Sequence, residues 1–136
     1  MKKRVLAFVL IFALLLSLPA FALEDRASDQ ISRRDTDATA MPGQIVVKAT
    51  IVGLGNMNKI GCESIYVYKL VNSYWVLSDW LTEDDEGMTS SNTAGHMGNY
   101  FFDSERGVRY RVVITVFAEN SAGRDSRTDV YYVTGK

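Results

Sequence analysis

The chain has 136 residues, with 15 basic and 16 acidic side chains for a net charge of −1, one cysteine and one histidine. Near-balanced charge without a basic cluster beyond the first residues speaks against nucleic acid and anionic membrane surfaces as partners. A lone cysteine rules out an internal disulfide, and one histidine with one distant cysteine does not make a zinc donor set.

Lys2, Lys3 and Arg4 precede an apolar run from Val5 to Leu18; Pro19 then stops any helix, and Ala20-Phe21-Ala22 places small residues where a signal peptidase needs them. This is the pattern of a secretory signal peptide over residues 1–22, with the cut expected between Ala22 and Leu23. Three basic residues and no acidic one leave with it, which takes the formal charge from −1 to −4. The expected product is secreted, with no membrane association after cleavage. Residues 23–42 are polar, with little apolar periodicity, and are expected to form a flexible linker.

From Gln44 the pattern turns to period two, which sends alternate side chains to opposite faces of a strand. Gln44 to Val52 is the first predicted strand. Gly53 to Gly61 reads as a loop because Gly53, Gly55, Asn56, Asn58 and Gly61 punctuate it. Ser64 to Leu70 and Tyr74 to Leu81 are strands joined through Asn72-Ser73 as a hairpin. Thr82 to Gly95 is expected to be a long surface loop. Met97 to Asp103 is the next strand, Ser104 to Gly107 a turn, and Tyr110 to Ala118 the clearest strand. On it Tyr110, Val112, Ile114, Val116 and Ala118 share one face. Arg127 to Val133 closes the chain. Six short strands punctuated by Gly, Asn and Ser predict an all-β, antiparallel sandwich spanning residues 43–136.

Gly107-x-x-Tyr110-x-Val112-x-Ile114-x-Val116-x-Ala118-x-Asn120-x-Ala122-Gly123 resembles strands F and G of a fibronectin type III or related immunoglobulin-like domain. The resemblance implies a sandwich of six to seven strands. It also implies a corner in which the Tyr110 hydroxyl bonds backbone upstream. Gln44–Val52 would be strand B, Ser64–Leu70 C, Tyr74–Leu81 C′ and Met97–Asp103 E. The chain departs from the pattern in three ways. Tyr110 lies two residues further from Ala118 and Asn120, strand A is not evident, and the usual Trp of strand B is missing. The chain is also similar to small secreted proteins of Gram-positive gut bacteria. In the adhesive fibronectin module the F–G loop carries Arg-Gly-Asp. Here Arg124 and Asp125 are adjacent, so Asn120 to Ser126 is expected to be a turn and not an adhesion loop.

No catalytic motif accompanies the plentiful Ser and Asp. A small hydrolase built on His96 is the weakest reading, and His96 is expected to be a polar loop residue. No cofactor or metal is expected, and Cys62 is expected to be a buried thiol. The aromatics on two-faced strands cannot all point inward, which makes Trp80, Phe117 and Tyr131 the candidate outward binding face. The expected function is a non-catalytic extracellular binding module for a protein or carbohydrate. The alternative is a structural or self-associating surface protein, a homodimer through strand edges or through Phe117 and Tyr131.

Overall fold

The computed structural model describes residues 30–136, so the signal segment and its cleavage pair, Ala22 and Leu23, lie outside the described residues. Six antiparallel strands, with no helix among the described residues, form one curled sheet: β1 (Ile31–Met41), β2 (Gln44–Val71), β3 (Tyr74–Thr82), β4 (Thr89–Asp103), β5 (Arg109–Asn120) and β6 (Gly123–Thr134). The all-β expectation holds.

The organiser is β2, which runs unbroken for 28 residues and pairs with four other strands. Its first half lies between β1 and β4, with Thr36↔Ala49 on one side and Tyr100↔Val47 on the other. Its second half lies between β3 and β5, with Trp80↔Tyr66 and Val113↔Tyr66. The last strand, β6, then pairs with β5 along its whole length. The two halves fold over one core. Ile45, Val47 and Ile51 come from the first half, and Ile65, Val67, Val112 and Ile114 from the second. Each of these is fully buried, as period-two alternation requires of a half-covered sheet.

Two expected loops are strand. Gly53 to Gly61 continues β2, and Thr89 to Gly95 belongs to β4; Met57–Gly61 pairs with Thr93–Thr89 across the bend. The glycines that read as breakers let a single strand turn from one half of the sheet to the other. Two of the apolar residues among them, Met57 and Ile60, fill the core at the bend, while Leu54 is exposed. The expected surface loop shrinks to residues 83–88, and even there Met88 is fully buried.

The expected linker is also corrected. Residues 31–41 form β1, and only Ile31, Ala38 and Ala40 of it are buried. A strand at the edge of a sheet turns most of its side chains to water, so charged residues dominate and mask the alternation. This strand meets β6 through side chains. The Arg34 guanidinium donates to both oxygens of Asp129 at 3.1 and 3.0 Å, Thr36 Oγ1 donates to Asp129 at 2.7 Å, and the Tyr131 hydroxyl donates to the Thr36 carbonyl at 2.6 Å.

Local turns follow their residues. Asn72 and Ser73 both take positive φ, 49° and 68°, the geometry that joins two twisted strands by a two-residue hairpin. The Glu105 amide donates to the Tyr110 hydroxyl at 2.8 Å, five residues upstream, which is the expected corner.

Cys62 is buried in the core, and burial pushes its thiol up to about 11. Native protein at neutral pH is therefore expected to react with an aromatic disulfide roughly two orders of magnitude more slowly than free cysteine, because the thiolate is the nucleophile. The full rate should return in denaturant, and stopped-flow absorbance checks both.

Candidate ligand-binding face

The second half of the sheet has an outer face built from β3, β2, β5 and β6. On β2 the residues between the buried Ile65 and Val67 point outward, and cross-strand pairing carries that face over its neighbours. Tyr66 lies opposite Trp80 and Val113; Tyr68 lies opposite Leu77 and Arg111; Arg111 in turn lies opposite Tyr132. Trp80 and Tyr132 are each 54 % exposed, too open to be core residues.

The placement of the two tryptophans depends on one residue. Trp75 and Trp80 are five positions apart, which in a regular strand would send them to opposite faces. Between Val67↔Asp79 and Tyr68↔Leu77 the register shifts, leaving Ser78 as an extra residue in β3. Trp75 then lies opposite Leu70 and Trp80 opposite Tyr66, both on the outer face. A bulge of this kind re-aims a side chain at the expense of ladder bonds.

At the centre of the face the rings gather around arginine. The Arg111 guanidinium lies 4.6 Å from the Tyr68 ring centre and 5.3 Å from that of Trp75. Arg109 lies 5.6 Å from the Tyr132 ring, and the Trp75 and Tyr132 rings approach to 5.8 Å. Such stacks hold a guanidinium in place through the ring quadrupole. The face is a platform and not a cleft. A depression of about 430 Å³ lies elsewhere, between β1 and the first half of β2, lined by Asp35, Thr36, Asp37, Lys48 and Thr50.

Of the three residues expected to face outward, Trp80 does, and the other two are corrected. Phe117 is 0 % exposed. It lies on the outer side of β5, but Arg124 from β6 covers it, with the guanidinium 4.0 Å from the ring centre. Arg124 is held there by Glu63 at 3.0 Å, Glu83 at 3.0 Å and Glu119 at 3.4 Å, and Lys59 also reaches Glu83 at 3.2 Å. Tyr131 shares the core side of β6, is half-buried, and spends its hydroxyl on β1. A dimer face through Phe117 and Tyr131 is therefore occupied by the chain's own residues. The turn Asn120 to Ser126 is likewise internal business. Arg124 is tied to three carboxylates, and the buried Asp125 accepts the Ile31 amide at 3.3 Å.

His96 is not a loop residue but part of β4, 7 % exposed. Its tautomer follows from the donors around it. Tyr100 gives its one proton to the Gly87 carbonyl at 2.9 Å, so the contact of 2.8 Å between its oxygen and His96 Nε2 requires Nε2 to donate. Ser90 Oγ then donates to Nδ1 at 2.8 Å. Burial lowers the His96 pKa and raises that of Tyr100, which keeps both neutral. This chain satisfies every polar atom of a buried imidazole. A serine beside a histidine is also half of an acyl-transfer arrangement, but here the second ring nitrogen meets a neutral tyrosine where that chemistry calls for a carboxylate.

The same groups set an expected pH profile. A histidine whose pKa falls on folding adds stability above its ordinary 6.5 and loses it as the unfolded chain takes up protons below that value. Glu83, lowered by its bond to Arg124, and Asp129, lowered by its bond to Arg34, add stability above the ordinary carboxylate values of 4.5 and 3.8 and lose it as pH drops through their folded values. Urea midpoints should therefore be level from pH 7 to about 8, below the range where the unfolded Cys62 thiol ionises, and fall in two stages as pH drops below 7. His96→Gln should remove the first stage, and Glu83→Gln should flatten the second.

Comparison with known proteins finds no matching family model, no matching curated protein and no matching solved structure.

Proposed function

We propose that the chain is a secreted, non-catalytic binding module of immunoglobulin-like type, and that its ligand lies on the outer face of β3, β2, β5 and β6. The observation that carries this reading is the Ser78 bulge, which turns both tryptophans to the same exposed side. Ordinary cross-strand packing needs no such device, since a regular strand would have placed Trp75 and Trp80 on opposite faces. Exposed tryptophan and tyrosine on a rigid sheet supply contact area at low entropic cost, the usual make-up of a binding hot spot.

The immunoglobulin-like assignment draws support from pairing order. Taken in chain order, with β2 serving as both B and C, the first half of the sheet is A-B-E and the second C′-C-F-G. The Tyr110 corner supports the same assignment. Export is supported by the sequence from Lys2 to Ala22, and a mature N-terminus at Leu23, read by intact mass, would test it.

The functional test is co-sedimentation of the purified domain with bacterial cell walls, insoluble polysaccharides and mucin after a salt wash. Trp80→Ala is expected to weaken retention about tenfold, the equivalent of about 1.4 kcal/mol, with an unchanged thermal midpoint and a monomeric elution volume. Equal retention of the variant would refute the face as the binding surface. A wild-type dimer dispersed by Trp80→Ala would favour self-association instead.

A further inference from the structure

We infer that the ligand of this face is an acidic polysaccharide, its uronic carboxylate gripped by Arg111 and Arg109 and its sugar rings stacked on Trp75 and Trp80. The inference rests on the reading of this face as a binding surface and adds the class of ligand.

Arg34 and Arg124 bridge strands and Arg127 pairs within β6, and each is met by a carboxylate of the chain: Asp129, the Glu63–Glu83–Glu119 group and Asp125 respectively. Arg111 and Arg109 have no ion pair among the described residues, although they sit on a face with exposed rings. Arg111 Nε is buried without a hydrogen-bond partner. Aromatic rings hold its plane, so the terminal nitrogens are positioned with their hydrogen-bonding capacity unspent. A planar fork of this kind matches a carboxylate in two parallel bonds.

Charge along the face is polarised. Its acidic residues Glu63, Glu83 and Glu119 cluster at the Arg124 end and are consumed there. Around Arg111 the outer neighbours are Tyr68, Tyr132, Val113 and Val130, none of them acidic. The centre of the platform is thus two uncompensated cations framed by rings, complementary to an anion with apolar faces.

The shape of the face selects a polysaccharide over an acidic peptide. Trp80 and Trp75 lie opposite Tyr66 and Leu70 on β2, a separation of roughly 13 Å along the strand. The ligand is therefore extended. An extended peptide gains most of its affinity by pairing backbone with a sheet edge, and Arg111 stands on β5, an inner strand between β2 and β6 that offers side chains only. A sugar ring presents C–H groups to an indole and hydroxyls to water, and in a uronic acid it adds the carboxylate that the arginines lack.

The test is calorimetric titration of the purified protein with oligosaccharides of galacturonate, alginate and hyaluronan. Each is paired with its carboxyl-reduced counterpart, and polyglutamate is run alongside. At least one uronic oligosaccharide should bind, and carboxyl reduction should weaken it tenfold or more. Arg111→Gln should match that loss, and Arg111→Lys should recover part of it. Arg109→Gln leaves the central stack in place and should weaken binding several-fold, which keeps the test decisive if Arg111→Gln misfolds. Equal binding of reduced and acidic sugars, or preference for polyglutamate, overturns the acidic polysaccharide while a loss in Trp80→Ala would still uphold the binding face. Binding of none of these probes overturns it as well. Retention on another surface, sensitive to Trp80→Ala, would then show that the face binds a different class of ligand.

Discussion

Gly61→Ala is expected to destabilise the fold by about 3 kcal/mol or more, a large share of the ~5–15 kcal/mol that holds a domain together. Gly61 is where three strands meet, since it pairs with Thr89 of β4 and with Phe117 of β5. Its φ of 155° lies in a region that L side chains rarely adopt. An added Cβ would run into the Met88 carbonyl oxygen and approach the Thr89 Cα to 2.8 Å. Both obstacles are backbone, so no side chain can swing away. The Met88 carbonyl also accepts the Cys62 amide at 2.8 Å, and the Met88 side chain is fully buried. Moving that carbonyl would break a hydrogen bond and unseat a core residue together. Urea denaturation followed by tryptophan fluorescence measures the loss. Gly87→Ala is the control: Gly87 has a positive φ but open space for a Cβ, so its cost should be limited to backbone strain of about 1 kcal/mol.

Phe117→Asp is expected to unfold the protein and not to dissociate a dimer. Truncating a buried phenylalanine alone costs ~3–5 kcal/mol. The aspartate would add a carboxylate to a site already bounded by Glu63, Glu83 and Glu119, whose single arginine is shared among them. The variant should lose its cooperative transition in denaturation followed by circular dichroism. A cooperative transition at the wild-type midpoint would mean that Arg124 does not seal the ring. Phe117→Leu keeps most of the apolar volume and should cost less than half as much.

These two positions also mark where sequence reading works and where it stops. Tyr110 to Ala118 was legible because alternating residues share one environment, and Asn72-Ser73 because the turn chemistry is local. Phe117 obeys the alternation and still is buried, because its cover comes from Arg124 on the neighbouring strand, a tertiary fact that no period contains. Residues 31–41 hide as a strand because an edge buries so little of itself that Ile31, Ala38 and Ala40 are its only core signal. Gly53 to Gly61 misleads in the opposite sense: glycines that ordinarily interrupt a strand here bend one.

The candidate face was partly legible. Trp80 is exposed as its pattern suggests. Trp75, Tyr68, Arg111 and Tyr132 join it only through cross-strand register, and the bulge at Ser78 reverses the parity on which a single-strand reading depends. His96 was obscured by the glycines and polar residues around it, Gly95, Asn92 and Gly98, which all lie within β4.

The protein has two tryptophans, Trp75 and Trp80, and both lie on the proposed face, so indole fluorescence reports on it directly. The decisive measurement is acrylamide quenching of the folded protein, with and without saturating amounts of whichever ligand co-sediments with it. Bound ligand should shield the indoles and lower the quenching constant at least twofold. Unchanged quenching under conditions where binding is saturated would place the ligand elsewhere and rule out this face as its site.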